Sequence, residues 1–262
     1  MELRRPAVAG SFYPSDAKEL KSMINNFLEQ AEDIDLGGDL MGLVEPHAGY
    51  IYSGPVAAYG YKLLSKKAKN VNKVFLAGPS HHAAFFGAAV SDSNFWETPL
   101  GRIKIGNIRE NAQNPDLFPV YPAAHAPEHC LEVQIPFLQT VLDDFILYPM
   151  LISDVAPESI ADEIANQFDD NSMFIASSDL SHYKSYDIAR KIDSLANKTV
   201  PSLEIDKFSS KGDACGKSAI MTLMHLAKKM KWKGKLLDYR NSGDTAGPKD
   251  AVVGYGCYAF YR

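Results

Sequence analysis

Apolar residues along this chain alternate between short continuous runs and stretches with helical spacing. The runs at residues 40–45, 73–78 and 172–177 are typical of strands that are covered on both faces. Around them, apolar residues recur every three or four positions, as at residues 17–28, and this spacing predicts amphipathic helices. Strands that alternate with helices predict a mostly parallel sheet with helices on both faces.

Stretches with less regular spacing of apolar residues add further elements to the predicted fold. Residues 95–105 alternate around a Pro-Leu-Gly turn, which predicts a hairpin and therefore an antiparallel extension of the sheet. Ser53 is predicted to cap the helix that follows the first strand, with Pro55 in its first turn. Residues 128–142 show a helical pattern that Pro136 is expected to kink or break. Further strands are predicted at 87–91, 145–152, 236–239 and 252–260, and further helices at 158–168, 186–196 and 216–229.

Composition limits the class of protein. With 262 residues, 46% of them hydrophobic, and no evident linker, the chain is expected to form a single domain over residues 1–262. A net charge of −5 disfavours partners such as nucleic acids and anionic membranes. Three widely spaced cysteines without a CxxC motif favour a reducing compartment. No run is long enough for a signal peptide core or a membrane span, so a cytoplasmic protein is expected.

Histidines are concentrated where the predicted strands end. In open α/β sheets, ligands bind beyond the carboxyl ends of the strands. A single loop histidine would be better explained as a surface or hydrogen-bonded residue, but three strand exits that carry histidine predict a metal site or an acid–base site. These histidines are His47 after the first strand, His81 and His82 after the second, and His182 after the third.

Other candidate residues allow two interpretations each. Cys215 precedes a predicted helix, whose N-terminus favours a metal-binding thiolate, although a buried structural cysteine would also fit. Asp179 could orient an imidazole or could cap the following turn. Glu128 and Glu132 flank His129, where a solvated helix face is the simpler interpretation.

Seven sequence motifs in order resemble those of the Memo family, called AmmeMemoRadiSam system protein B in bacteria and archaea. The resemblance extends over nearly the whole chain. The motifs are RRPAVAGSFYP at 4–14, PHAGYIYSG at 46–54, GPSHH at 78–82, EHCLEVQIPFL at 128–138, SSDLSHY at 177–183, ACGKSAI at 214–220 and NSGDTAG at 241–247.

The resemblance implies a three-layer αβα fold related to the class III extradiol dioxygenases, which use non-haem Fe(II). It assigns the metal ligands to His47, His81 and Cys215, and it places Asp179 and His182 in the same pocket. A thiolate in place of the dioxygenase carboxylate argues against aromatic ring cleavage and favours copper, zinc or thiolate-ligated iron. Further pocket candidates are His82, His129 and Glu132.

Three functions agree with this resemblance. The first is a metal-dependent oxidoreductase containing one iron or copper ion, in which His182 is the acid–base or substrate-orienting residue and Asp179 fixes its tautomer. The second is a binding protein that retains the pocket without turnover, because animal Memo proteins resemble signalling adaptors. The third is a zinc hydrolase. The resemblance also implies AmmeMemoRadiSam system protein A and a radical-SAM protein as pathway partners, while the small-molecule or peptide ligand is not evident from the sequence.

Overall fold

Eleven strands form one sheet in a computed structural model of the chain, which describes residues 3–67 and 71–262. The strands are β1 (Leu3–Arg4), β2 (Leu40–Glu45), β3 (Lys73–Pro79), β4 (Ala88–Val90), β5 (Phe95–Thr98), β6 (Gly101–Ile105), β7 (Ile146–Ile152), β8 (Ser172–Ser177), β9 (His182–Lys184), β10 (Lys233–Asn241) and β11 (Val252–Tyr261). The helices are α1 (Ala17–Gln30), α2 (Tyr50–Lys67), α3 (Pro122–His125), α4 (Ile135–Val141), α5 (Pro157–Ala165), α6 (Tyr186–Thr199), α7 (Ile205–Lys211), α8 (Lys217–Lys229) and α9 (Ser242–Thr245). Short 3-10 turns span Ile108–Asn111, Pro115–Leu117 and Glu132–Gln134.

The strand order is β1-β5-β6-β7-β3-β8-β2-β11-β10, with β4 paired to β7 and β9 paired to β11. Within this order, β6, β7, β3, β8 and β2 run parallel to one another. Beyond β2 the sheet continues with the antiparallel strands β11 and β10. The predicted hairpin at residues 95–105 is present as the antiparallel pair β5 and β6. The prediction of a mostly parallel sheet with an antiparallel extension is therefore confirmed.

Helices cover both faces of this sheet. Successive residues of β3 point to opposite faces, as the pleat requires, so Val74 and Leu76 pack with one core and Phe75 and Ala77 with the other. The first core is completed by α1, α2 and α4, and the second by α5, α6, α7 and α8. Among the described residues, no helix has both the length and the apolar character that a membrane span needs.

Two predicted helix boundaries are wrong. Helix α2 begins at Tyr50, so Ser53 lies within it and donates its hydroxyl to the Ala48 carbonyl instead of capping it. Pro55 is consequently inside the helix rather than in its first turn. The second wrong boundary is the helix start at residue 128, because α4 begins only at Ile135, after the 3-10 turn at Glu132–Gln134. The helical stretch is thus broken next to Pro136, which is one of the two expected outcomes. Pro136 then occupies the first turn, where its missing N–H needs no partner.

Several elements have no counterpart in the predicted pattern, among them β9, α7 and α9. Residues 182–184 follow β8 as a short strand that pairs with β11, and α7 fills a stretch that the periodicity did not assign. Helix α9 lies in the glycine-rich stretch 242–248, which reads as a turn by sequence. A capping box explains it: the Asp244 carboxylate accepts the Asn241 backbone N–H at 3.0 Å, and the Asn241 side-chain oxygen accepts the backbone N–H of Gly243 at 2.9 Å.

Glu132 holds the N-terminal segment against the rest of the protein. Its fully buried carboxylate accepts hydrogen bonds from Arg4 Nη1 at 2.7 Å and from Tyr13 Oη at 2.7 Å. The backbone N–H groups of Ala7 and Val8 donate to the same carboxylate at 2.7 and 2.9 Å. The solvated helix face that the sequence favoured is therefore wrong for this residue, because every donor around Glu132 comes from the N-terminal segment.

We expect Glu132→Gln to lower the free energy of unfolding by about 3–5 kcal/mol, since it leaves the buried Arg4 guanidinium without a counter-charge. Urea unfolding followed by circular dichroism measures this loss. The matched control is Glu97→Gln, which removes the exposed ion pair with Arg102 and should cost about 1 kcal/mol at most. Equal effects of the two substitutions would contradict the structural role of Glu132.

Candidate metal centre

The parallel pairing of three neighbouring strands brings distant histidines together. Strands β3, β8 and β2 are adjacent and parallel, so their carboxyl ends lie at one edge of the sheet. His47 follows the end of β2 by two residues, and His81 follows the end of β3 by two residues. Cys215 reaches the same edge because its backbone N–H donates to the Asp179 carbonyl at 3.2 Å, in the loop after β8.

Gly216 allows this approach of the chain before α8. Its backbone N–H donates to Ser178 Oγ at 2.9 Å, and a Cβ at this position would lie 2.5 Å from the Ser177 carbonyl oxygen. A side chain here would push Cys215 away from the sheet edge, so the glycine is needed for the placement of the thiol.

Three potential donor atoms meet at this edge. Cys215 Sγ lies 3.1 Å from His47 Nε2, and the ligand atoms of His47, His81 and Cys215 all lie within 4.8 Å of one another. Donors bound tetrahedrally at about 2.0–2.3 Å from one ion are separated by about 3.3–3.8 Å. These three atoms are close enough that they could hold one first-row transition metal ion, and the structure brings together the three residues that the resemblance assigned as ligands.

Glu128 orients the second of these histidines. Its Oε1 lies 2.9 Å from His81 Nδ1, and its Oε2 accepts the His81 backbone N–H at 2.8 Å. Burial raises the pKa of Glu128, but the hydrogen bonds from His81 and from the Cys130 N–H outweigh burial and hold that pKa well below its usual range. A carboxylate behind an imidazole is a frequent arrangement at metal sites, and it contradicts the solvated helix face that the sequence favoured for Glu128.

His47 is held from inside the protein. Its imidazole is buried, and its Nδ1 lies 3.0 Å from Ser177 Oγ, which Gln134 Nε2 also contacts at 2.8 Å. Burial, reinforced by the neighbouring His129 and His81, lowers the pKa of His47 well below its usual range. The imidazole is therefore neutral and able to bind a metal at neutral pH. Ser177 and Gln134 carry no sequence signal beyond their places in two of the motifs.

Asp179 supports the candidate metal site through the His47 backbone, and it makes no hydrogen bond to His182 among the described residues. Its Oδ1 accepts the His47 backbone N–H at 2.8 Å. Burial raises the pKa of Asp179 to about 7, against the lowering effect of the His47 hydrogen bond. The proposed tautomer-fixing role of Asp179 toward His182 is thus not what the geometry shows.

His182 lies on the wall of an open cavity next to the three donor atoms. The cavity has a volume of about 710 Å³, and its remaining walls are largely aromatic or small. The short strand β9 positions His182, since its backbone pairs with Val253 of β11. Lining residues that carry rings are Phe12, His47, Tyr52, His81, His129, His182, Tyr183, Pro248 and Tyr255.

The further pocket candidates differ in their positions. His129 lines the cavity, stacks on His81 with ring centroids 4.9 Å apart, and is covered by Phe12 at 4.8 Å. His82 is exposed and groups with Glu128 and His129, but this carboxylate is already occupied by several hydrogen bonds and is a poor ligand. Glu132 lies outside the cavity lining, in the N-terminal contacts described above.

The expected low pKa of Cys215 is contradicted by its surroundings. Burial, together with the neighbouring Asp179, raises the pKa of the Cys215 thiol to about 12. The backbone N–H of Gly216 at the start of α8 lowers it, but by less than burial raises it. In the metal-free protein the thiol is therefore protonated at neutral pH, and an ion must displace that proton to bind.

Comparisons with known proteins give a consistent result. The sequence model of the family described as Memo-like protein matches residues 4–259. A MEMO1 family protein of Nitrosopumilus maritimus is 34% identical to this chain, over 98% of this chain and 99% of the relative. A MEMO1 family protein of Thermoplasma volcanium is 36% identical, over 97% of this chain and 96% of the relative. A MEMO1 family protein of Saccharolobus solfataricus is also 36% identical, over 96% of this chain and 97% of the relative.

In metal-free protein, we expect the alkylation of Cys215 by iodoacetamide to accelerate about tenfold per pH unit between about pH 7 and pH 10, because the thiolate fraction grows at that rate below a raised pKa. Peptide mapping by mass spectrometry measures each cysteine separately. Cys130 and Cys257 are fully buried and should remain unlabelled in the folded protein. If the alkylation rate of Cys215 were constant between about pH 7 and pH 10, the pKa of the Cys215 thiol would lie below about 7.

Proposed function

This chain belongs to the Memo-like protein family, and we propose that it is a metal-dependent oxidoreductase whose single ion, iron or copper, is held by His47, His81 and Cys215. The observation that supports this proposal is the meeting of two imidazole nitrogens and one thiol at the wall of an open cavity. An ion held only by these three side chains retains a coordination position for a small molecule.

The donor set favours a redox-active ion. Thiolate is a soft ligand that suits copper and iron, and imidazole suits both metals as well. When bound, such an ion would supply one-electron chemistry at the base of the cavity. We assign the fold to the αβα architecture of the class III extradiol dioxygenases, but we do not extend ring cleavage to this chain, because its third candidate ligand is the thiol of Cys215 instead of a carboxylate.

The surrounding side chains have separate tasks in this proposal. Phe12, Tyr52 and Tyr255 provide apolar walls that bind the body of a small substrate and exclude water from it. His182 reaches the same space from β9 and carries a proton to or from the bound molecule. Asp179 keeps the loop that contains His47 in place through the backbone hydrogen bond.

Protein purified under anaerobic conditions should contain about one equivalent of iron or copper by elemental analysis, and it should consume oxygen when a reductant is supplied. Cys215→Ser and His81→Asn should each remove most of the metal, because each deletes one of three donors. Cys257→Ser is the control, since Cys257 is buried beside Glu45 in β11 and lies outside the cavity lining.

Two results would contradict the proposal that the protein is an oxidoreductase. One equivalent of zinc without oxygen consumption would favour the hydrolase, for which two histidines, one cysteine and an open position are also suitable. Protein that binds none of these ions after reconstitution, with Cys215→Ser indistinguishable from the wild type, would favour a binding protein without turnover.

His182→Ala should leave the metal content unchanged and lower turnover by about 10²–10⁴-fold, the usual contribution of an acid–base residue. His225→Ala is the matched control, because His225 is on α8 away from the cavity and its loss should change neither quantity. Loss of metal in the His182 variant would identify His182 as a ligand and would exclude the acid–base role.

A further inference from the structure

We propose that Ser177 and Gln134 are positioning residues that keep the proton of His47 on Nδ1 and thereby reserve Nε2 for the metal. This inference rests on the proposed metal site, but it concerns a proton position that exists without any metal. A neutral imidazole carries one N–H, and either ring nitrogen can bear it. Which nitrogen bears the proton decides which one can bind an ion.

Two backbone carbonyls determine the direction of the hydrogen bonds around His47. One terminal atom of the Gln134 side-chain amide lies 2.9 Å from the Pro46 carbonyl oxygen and 2.8 Å from Ser177 Oγ. A carbonyl oxygen can only accept, so this atom is the amide nitrogen, Nε2. The amide oxygen at the other end accepts the Tyr61 hydroxyl at 2.7 Å, which agrees with the same orientation.

The hydrogen bonds of Ser177 determine that His47 Nδ1 must be a donor. Its hydroxyl has one proton, and the Cys130 carbonyl oxygen at 2.6 Å can only accept it. One lone pair of Ser177 Oγ receives the second N–H of Gln134. The remaining lone pair faces His47 Nδ1 at 3.0 Å, and this contact is a hydrogen bond only if Nδ1 is the donor.

Burial makes the alternative tautomer unfavourable. Gln134, Ser177 and His47 are exposed by 1%, 0% and 2%, so water does not compete for their hydrogen bonds. A proton on Nε2 would leave the Nδ1 lone pair facing an oxygen whose own proton is engaged with the Cys130 carbonyl. Turning the Ser177 hydroxyl toward Nδ1 would leave that buried carbonyl without a donor, and a buried polar group without a partner is strongly unfavourable.

The consequence is a preformed ligand atom. With the proton on Nδ1, His47 presents the Nε2 lone pair at 3.1 Å from Cys215 Sγ, on the side of the cavity. His81 has a similar arrangement, because its Nδ1 is engaged by Glu128 and its Nε2 remains for an ion. A serine and a glutamine thus perform for His47 the task that a carboxylate performs for His81.

The direct test is the tautomer of His47 in the metal-free wild type. Long-range proton–nitrogen correlation spectra of protein labelled with 15N-histidine distinguish a protonated Nδ1 from a protonated Nε2, and His47→Gln assigns the signal. We expect Nδ1 to be protonated. A proton on Nε2 would overturn the inference whether or not the protein binds metal, whereas a protonated Nδ1 in protein that never binds metal would leave the inference standing and refute only the proposed function.

The Ser177→Ala variant tests the role of the serine. It should weaken the binding of Zn²⁺, measured by competition with a chromophoric chelator, by about 10–100-fold, and it should populate the Nε2–H tautomer of His47. Zn²⁺ affinity within twofold of the wild type and an unchanged tautomer would overturn the inference.

Two controls separate positioning from stability. Ser172→Ala removes a buried hydroxyl at the opposite end of the same strand, where it contacts Asp169. Tyr61→Phe removes the donor to the Gln134 amide oxygen, but the Pro46 carbonyl still orients that amide. Both variants should lose thermal stability while the His47 tautomer and the Zn²⁺ affinity stay unchanged. Weakened Zn²⁺ binding in both, equal to that of Ser177→Ala, would overturn the inference.

Discussion

The parallel pairing of β3, β8 and β2 is the constraint on which the rest of the structure depends. In this arrangement the three strands end at one edge, and each of the chain segments that follow must turn over that edge. The backbone continues the pairing beyond the strands, since the Ser178 N–H donates to the Glu45 carbonyl at 2.8 Å. Residues as distant in sequence as His47, His81 and Cys215 therefore meet at this edge.

This edge is both polar and buried, and that combination shapes the surrounding loops. Charged and polar side chains there must be satisfied by protein groups, because burial without a partner costs free energy. Glu128, Glu132 and Asp179 each accept backbone N–H groups, so the carboxylates also hold loops in position. The N-terminal segment becomes part of the site in this way, since Glu132 anchors it and Phe12 packs on His129.

The sequence predicted those parts of the site that follow from strand exits, and it failed where burial decided the outcome. Histidines after three apolar runs could be placed together, because parallel strands share one edge. Glu128 and Glu132 occupy a stretch with helical periodicity, and nothing local reveals that their donors come from residues 4–13 and from the loop after β3. The same limit applies to Cys215, where proximity to a helix N-terminus predicts a low pKa and the surrounding protein produces a high one.

Charge balance connects these observations. Without an ion, the site contains a neutral His47, a protonated Cys215, the ionised carboxylate of Glu128, and Asp179, whose pKa burial raises to about 7. A divalent ion brings two positive charges to a place where unbalanced charge is costly. Release of the Cys215 proton supplies one negative charge, and Glu128, acting through His81, supplies the other. The high pKa of the thiol is therefore compatible with a metal site, because the thiol adds its negative charge only when an ion is there to neutralise it.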